Sequence, residues 1–114
     1  MAITGMHALL YTTEPDAVRD VLKDVLGFSY VDSGGGWLIF RLPPGEVGIH
    51  PADRPSHELS FMCEDLDATV AELQAKGVVF KSERHDETWG IVATMVLPGD
   101  LEVLLYQPRH PTAI

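Results

Sequence analysis

The second half of this sequence repeats the first, and each half carries a histidine at the same place. His7 precedes an acidic helix start, an apolar stripe and Gly27, and His57 precedes the same arrangement and Gly77. The interval between the two histidines equals the interval between the two glycines. A repeated unit buries its apolar face by packing against its copy, so groups present in both copies can meet in a shared cleft.

The length of 114 residues corresponds to one compact domain. We predict a single domain over 1–114, with a first module at about 5–50, a linker at 51–56 and a second module at about 57–108. No apolar run is long enough to cross a membrane. The N-terminal residues lack the basic start and apolar centre of a signal peptide, which predicts a cytoplasmic protein.

The charge balance narrows the choice of partners. The formal net charge is −9, and no cluster of lysine or arginine is present to neutralise phosphates. This argues against nucleic acid and against anionic membrane surfaces, and it says little about a small-molecule ligand. The single cysteine, Cys63, excludes an internal disulfide and is expected to be a buried apolar thiol.

In the first half, one helix and four strands are predicted. Thr13 is expected to cap the helix, Pro15 suits its first turn, and Gly27 supplies a left-handed stop. Gly34, Gly35 and Gly36 form a hairpin turn. The predicted strands lie at 6–12, 28–31, 37–42 and 46–50.

The second half follows the same order. A helix is predicted at 65–76 with its stop at Gly77, and a polar loop at 82–88. Strands are predicted at 58–63, 78–81, 89–97 and 101–107, and the tail at 108–111 is expected to be loosely held. The order is βαβββ twice, which predicts an α+β fold.

The tandem βαβββ order resembles the vicinal oxygen chelate superfamily of glyoxalase I, extradiol dioxygenases and fosfomycin- and bleomycin-resistance proteins. The resemblance is carried by Gly5-Met6-His7, by the helix end at 24–28, by the second helix at 64–70 and by the last strand at 102–108. It implies that the two modules form a half-barrel-like mixed sheet with helices on the outer face and the site on the inner face. It also implies a homodimer.

In metal-binding members of that superfamily, a histidine comes from the first strand of a module and a carboxylate from the last. The resemblance places His7 at the first-module histidine position. The alternative is a strand histidine that is hydrogen-bonded to a neighbour.

The second-module ligand is either His57 or Glu58. Leu59, Phe61 and Cys63 share a phase that suits the helix-covered face, so alternation turns Glu58 towards the cleft. The superfamily position, counted back from the helix and glycine, also falls on Glu58. A bulge at the strand start would turn His57 inward instead, and both assignments stay open.

Two further carboxylates complete the candidate metal set. Glu102 alternates with the apolar residues of the last strand and is expected to face the cleft. Glu46 is its first-module counterpart, with a surface acid beside a turn as the alternative.

These donors would suit a divalent ion. Two imidazoles and one carboxylate leave open positions on Fe(II) for dioxygen. A second carboxylate gives a Ni, Zn or Mn site that acts as a Lewis acid, with Glu102 or Glu58 moving a proton. An oxygen-rich set that includes Glu58 would favour Mn or Mg.

Aromatic residues near the cleft mouth are candidates for substrate contacts. Trp37 and Trp89 each begin a strand, and Tyr106 shares the phase of Glu102. His50 shares a face with Glu46. Rim packing is the alternative for the tryptophans. Three arginines could hold an anion but are expected to form ion pairs: Arg41, Arg54 and Arg84. No role is assigned to His85 and His110, which lie outside the predicted strands.

Two functions from different classes follow. The first is a metal-dependent enzyme, a glyoxalase-like lyase or extradiol-type dioxygenase, that acts on a small molecule with vicinal oxygens. The second is a metal-free protein that sequesters a planar or aromatic compound, as bleomycin-resistance proteins do. Metal content and a binding measurement with aromatic compounds would discriminate between them.

Overall fold

A computed structural model describes residues 8–46, 48–49 and 51–114, and it has the predicted α+β composition. The first repeat contributes helix α1 (Pro15–Asp20), a π-helical continuation (Val21–Val25) and strands β1 (Tyr30–Asp32) and β2 (Leu38–Phe40). The second repeat contributes strand β3 (Ser60–Met62), helix α2 (Leu66–Ala75) and strands β4 (Val79–Glu87), β5 (Gly90–Leu97) and β6 (Leu101–Pro108).

The first helix begins and ends where the sequence predicts, but its cap is different. Pro15 is the first helical residue, where a missing N–H costs nothing. The prediction of Thr13 as the cap is wrong: Glu14 occupies the cap position without a side-chain bond, and the Thr12 hydroxyl accepts the Glu14 N–H at 3.1 Å. Gly27 follows the π-helical turn at φ +72°, the left-handed stop that was predicted.

The first repeat has fewer strands than predicted. β1 and β2 form an antiparallel hairpin with Tyr30 opposite Phe40, closed by the three-glycine turn. Residues 8–12 and the described residues of 46–50 are not in strands, because neither segment lies in a hydrogen-bonded ladder with a described neighbour. The remaining residues of those two predicted strands, including His7 and His50, lie outside the described residues.

The second repeat shows the full βαβββ order. Its four strands are arranged β3-β6-β5-β4, with β3 parallel to β6 and the other pairs antiparallel. The Asp65 carboxylate accepts the Ala68 N–H at 3.1 Å and caps α2. The predicted loop at 82–88 is wrong: β4 continues to Glu87, because β5 supplies its hydrogen-bonding partner, and a register shift between Phe80 and Arg84 interrupts the polar stretch.

One face of the four-stranded sheet carries the core, and both helices pack on that face. Leu66 of α2 and Met95 of β5 are the largest fully buried side chains, with exposed fractions of 0% and 1%. Val18 and Leu22 of the first repeat join the same cluster. The buried residues of β6 are Val103 and Leu105, which confirms the predicted alternation of the last strand. No helix in the described residues is both long enough and apolar enough to span a membrane.

Candidate functional site

The opposite side of the sheet is the candidate site, and we call it the helix-free face. Strand alternation places its residues in cross-strand rows. In one row, Met62 of β3 is paired with Tyr106 of β6, and Tyr106 is paired with Val92 of β5. Val92 is paired in turn with His85 of β4. The helix-free face also includes Ser60, Thr94, Val96, Leu104 and Glu102.

The middle of this face is mainly apolar and half-buried. Met62, Thr94 and Leu104 are half-buried although they point away from the core. Val92 is only 8% exposed and lies outside the core cluster. An apolar strip with a few polar groups around it is typical of small-molecule sites.

Tyr106 and Trp89 form the aromatic end of the helix-free face. Their ring centroids are 5.8 Å apart, and the Tyr106 hydroxyl donates to the Trp89 carbonyl at 3.1 Å. Trp89 is 49% exposed, so part of the pair is accessible to solvent. Burial raises the pKa of Tyr106, and the charge of Glu46 raises it further.

Gly90 fixes where the Tyr106 ring lies. A Cβ at Gly90 would clash with Cε1 of Tyr106 and stand 2.8 Å from the Gln107 carbonyl. The ring therefore rests on the bare backbone of β5, which no other residue would permit. The sequence gives a partial signal for this, since Gly90 interrupts an otherwise apolar strand.

Glu102 lies at the other end of the helix-free face, in the phase that was predicted. Its carboxylate accepts from Lys81 of β4 at 2.8 Å, and this bond raises the pKa of Lys81. Glu102 stands four residues before Tyr106 on the same strand, or about 13 Å along it at the usual rise per residue. The aromatic end and the Glu102–Lys81 pair are therefore separated by the apolar strip.

The predicted second-module ligands do not lie on a strand. His57 and Glu58 are both exposed and precede the start of β3 at Ser60. The alternation that would turn one of them towards the cleft therefore does not extend to them. Met62, by contrast, lies opposite Tyr106, as the phase of that strand predicts.

Glu46 and Trp37 have other partners. The Glu46 carboxylate accepts the Ala113 N–H at 2.9 Å. The guanidinium of Arg19 in α1 stands 4.9 Å from the centroid of the Trp37 ring, so this ring makes a cation–π contact with the first helix. Arg84 forms an ion pair with Asp67 of α2, as was predicted.

The predicted metal ligands that lie within the described residues do not by themselves form a metal site. The described residues contain no group of three or more His, Cys, Asp or Glu side chains that could hold an ion. Glu102 is bound to Lys81 and Glu46 to a backbone N–H. His7 and His50 lie outside the described residues, so the predicted metal set remains a prediction.

The tail is attached rather than loose, and we call residues 109–114 the strap. The Arg109 N–H donates to the Trp89 carbonyl at 2.9 Å, and its guanidinium bonds both Asp86 and the Glu87 carbonyl. The bond from Arg109 lowers the pKa of Asp86. The His110 ring lies 5.8 Å from the Tyr106 ring. The expectation of a loosely held tail is therefore wrong at Arg109, which anchors the strap.

Three residues of this region were missed from the sequence. Lys81 ends the strand that was predicted, but its pairing with Glu102 depends on the register of other strands. His85 was missed because β4 continues past 81, and the register shift between Phe80 and Arg84 interrupts the alternation. His110 reaches Tyr106 through the strap, a contact that no local pattern signals. Cys63 is half-buried against the core rather than fully buried as predicted, and this burial raises the pKa of its thiol, which disfavours the nucleophilic form.

An open cleft of about 420 Å³ lies elsewhere, between the end of α2 and the turn that joins β5 to β6. Valines and charged residues line it, and one of them, Val96, also belongs to the edge of the helix-free face. It contains none of the predicted site residues. We therefore assign the site to the helix-free face.

Several solved structures have a similar fold. TnmS3, an antibiotic binding protein from Streptomyces sp. CB03234, is 25% identical, with a TM-score of 0.66 over 95% of this chain and 98% of that one. A superfamily member from Sphaerobacter thermophilus DSM 20745 is 20% identical, with a TM-score of 0.62 over 94% and 99% of the two chains. A glyoxalase/bleomycin resistance protein from Streptomyces sp. CB03234 is 24% identical, with a TM-score of 0.57 over 86% and 95%.

No curated protein matches the chain. The family model of the Glyoxalase/Bleomycin resistance protein/Dioxygenase superfamily matches residues 6–101, which include the first repeat and the second repeat up to the start of β6. The chain belongs to this superfamily.

Proposed function

We propose that this protein binds a planar aromatic small molecule on the helix-free face, with one ring of the ligand against Tyr106 and Trp89. The observation that carries the proposal is the aromatic pair at one end of an apolar, half-buried strip. Aromatic rings in such a setting gain both apolar burial and ring–ring contact. The similarity to TnmS3, an antibiotic binding protein, supports the same class of function.

The dimensions and polarity of the strip suit a fused-ring compound. Leu104, Thr94 and Val92 line the span of about 13 Å between Tyr106 and Glu102. Few charged groups interrupt this span, and the Glu102–Lys81 pair closes its far end. A rigid planar ligand loses little conformational freedom on binding, which favours it over a flexible one.

Tryptophan fluorescence tests the proposal. Trp37→Phe leaves Trp89 as the reporter, and three tricyclic probes of similar shape are titrated: proflavine, acridone and anthracene carboxylate. We expect at least one probe to quench Trp89 saturably. Tyr106→Leu should weaken that binding by about tenfold or more, because it removes a ring contact together with buried area.

The matched control is Tyr106→Phe, which keeps the ring and loses the hydroxyl bond to the Trp89 carbonyl. It should retain most of the affinity. Equal affinity in Tyr106→Leu and Tyr106→Phe, or no saturable quenching by any probe, would contradict the proposal.

A second candidate is the metal-dependent lyase or dioxygenase, and the position of Glu102 favours it. This carboxylate lies on the helix-free face in the predicted phase. The complete ligand set would add His7 and either His57 or Glu58. The metal would supply Lewis-acid or dioxygen chemistry, and a carboxylate of the chain would hold or move the proton.

Native mass spectrometry of untagged protein tests this candidate and the proposed homodimer together. After supplementation with Fe, Ni, Zn or Mn, the metal-dependent candidate predicts one ion per 12.5 kDa chain and its loss in His7→Ala. The expected species is a dimer, since Val31 and Trp37 are exposed on a hairpin at the surface of the first repeat. A metal-free protein, or metal retained in His7→Ala, would contradict the metal site, and a monomer would contradict the dimer.

A further inference from the structure

The strap lies on the aromatic end of the helix-free face. Beyond Arg109, two of its contacts meet candidate site residues: the His110 ring stands against Tyr106, and the Ala113 N–H donates to Glu46. Tyr106 therefore has ring contacts with both Trp89 and the strap. The strap occupies space that an aromatic ligand at Tyr106 would need.

The strap contacts have a definite chemistry. One is an aromatic nitrogen heterocycle against a phenol ring, and the other is an N–H donor on a carboxylate. A ligand that carries a flat ring and a nitrogen-bound hydrogen would make the same two contacts. A ligand that displaces the strap should therefore carry these two groups, a flat ring and an N–H donor.

The strap is held weakly enough to be displaced. All of its residues are exposed, and the bond between Glu46 and Ala113 is exposed too. One such hydrogen bond shifts an equilibrium by about two- to tenfold. Arg109, by contrast, bonds Trp89, Asp86 and Glu87, so the strap can open about this fixed point.

Carboxylates around this end favour a positive ligand, since the positive charge of Arg109 is already paired with Asp86. Glu46 is close enough to Tyr106 for its charge to raise the pKa of the phenol, and Glu87 stands opposite Gly90 in the hairpin. The chain as a whole carries a net charge of −9, which raises the local concentration of cations. Aromatic rings such as Tyr106 and Trp89 also attract cations over their faces.

We propose that the strap is an internal competitor for the ligand site, and that the ligand which displaces it is a planar aromatic cation. This inference rests on the proposed function. It adds a class of ligand and a gate, which is the strap that must open before the ligand binds. The ligand binds only molecules in which the strap is open. The observed affinity is therefore the intrinsic affinity multiplied by the fraction of molecules with an open strap.

Three full-length variants separate the gate from the charge. Ala113→Pro removes the N–H that Glu46 binds and keeps the carboxylate. His110→Ala removes the ring that lies against Tyr106. Glu46→Gln removes the charge and keeps an oxygen acceptor for Ala113. Glu64→Gln, at an exposed acid in the turn before α2, is the control for a change of net charge.

The three tricyclic probes are titrated against each variant in the Trp37→Phe background. We expect proflavine, the cation, to bind more tightly than acridone, and acridone more tightly than anthracene carboxylate. Ala113→Pro and His110→Ala should each tighten all binding by about two- to tenfold. Glu46→Gln should weaken proflavine by about tenfold relative to acridone, and Glu64→Gln should leave that ratio unchanged.

The outcomes distinguish this inference from the proposed function. If acridone binds and depends on Tyr106, but neither strap variant tightens it, the proposed function stands and the gate is wrong. If anthracene carboxylate binds as tightly as proflavine, the ligand class is wrong. If no probe binds any variant, the proposed function fails and the inference fails with it.

Discussion

Gly90→Ala is expected to destabilise the fold and to abolish binding of the aromatic probe together. The new methyl group would meet the Tyr106 ring and would stand 2.8 Å from the Gln107 carbonyl. The ring can turn away, but Gln107 belongs to the β5–β6 ladder and its backbone cannot move without breaking that ladder. Overpacking of this kind costs about 1–3 kcal/mol.

Thermal unfolding followed by circular dichroism measures this effect, at roughly 4–8 °C of Tm per kcal/mol. Gly45→Ala is the matched control, because a Cβ there meets nothing within 4 Å and the backbone is not left-handed. It should change stability by less than about 0.5 kcal/mol. Equal Tm values and equal probe binding in the two variants would show that Gly90 does not position Tyr106.

Leu66→Ala is expected to give the largest loss of stability from a single truncation. Leu66 is the first residue of α2 and is fully buried, and its N–H donates to the Gln107 side chain of β6 at 2.8 Å. Removal of a fully buried leucine side chain costs about 2–5 kcal/mol, from lost transfer free energy and from the cavity left behind. The backbone N–H would still be present, so the loss reports packing alone.

Urea unfolding tests this prediction through the midpoint, with the slope m unchanged. Leu9→Ala is the control, since Leu9 is 57% exposed. Its midpoint should move by much less. A similar shift in the two variants would mean that the cluster around Leu66 does not hold α2 on the sheet.

The sequence predicted the second repeat better than the first. Gly27 and Gly77 end their helices at positive φ as expected, because that conformation is costly for other residues. The alternation of Val103 and Leu105 with Glu102 and Tyr106 placed the last strand correctly, since both buried and exposed residues follow the same period of two.

The features that were missed depend on contacts far apart in the chain. β4 continues through a polar stretch because β5 is its neighbour, and no apolar pattern within 82–87 shows this. The pairing of Lys81 with Glu102 follows from the register of three strands. The bond between Glu46 and Ala113 joins the two repeats and has no local signature.

The central claim is that a planar aromatic ligand lies on the helix-free face of the sheet and not in its core, and the methionine methyl groups report on both sides. Met62 is beside Tyr106 on the helix-free face, whereas Met95 is buried among the core residues. With methionine methyls labelled and assigned through Met62→Leu and Met95→Leu, the nuclear magnetic resonance spectrum is followed as the best-binding tricyclic probe is added. The account predicts a saturable shift of the Met62 methyl with little change at Met95. A shift confined to Met95, or saturable binding that leaves Met62 unmoved, would contradict it.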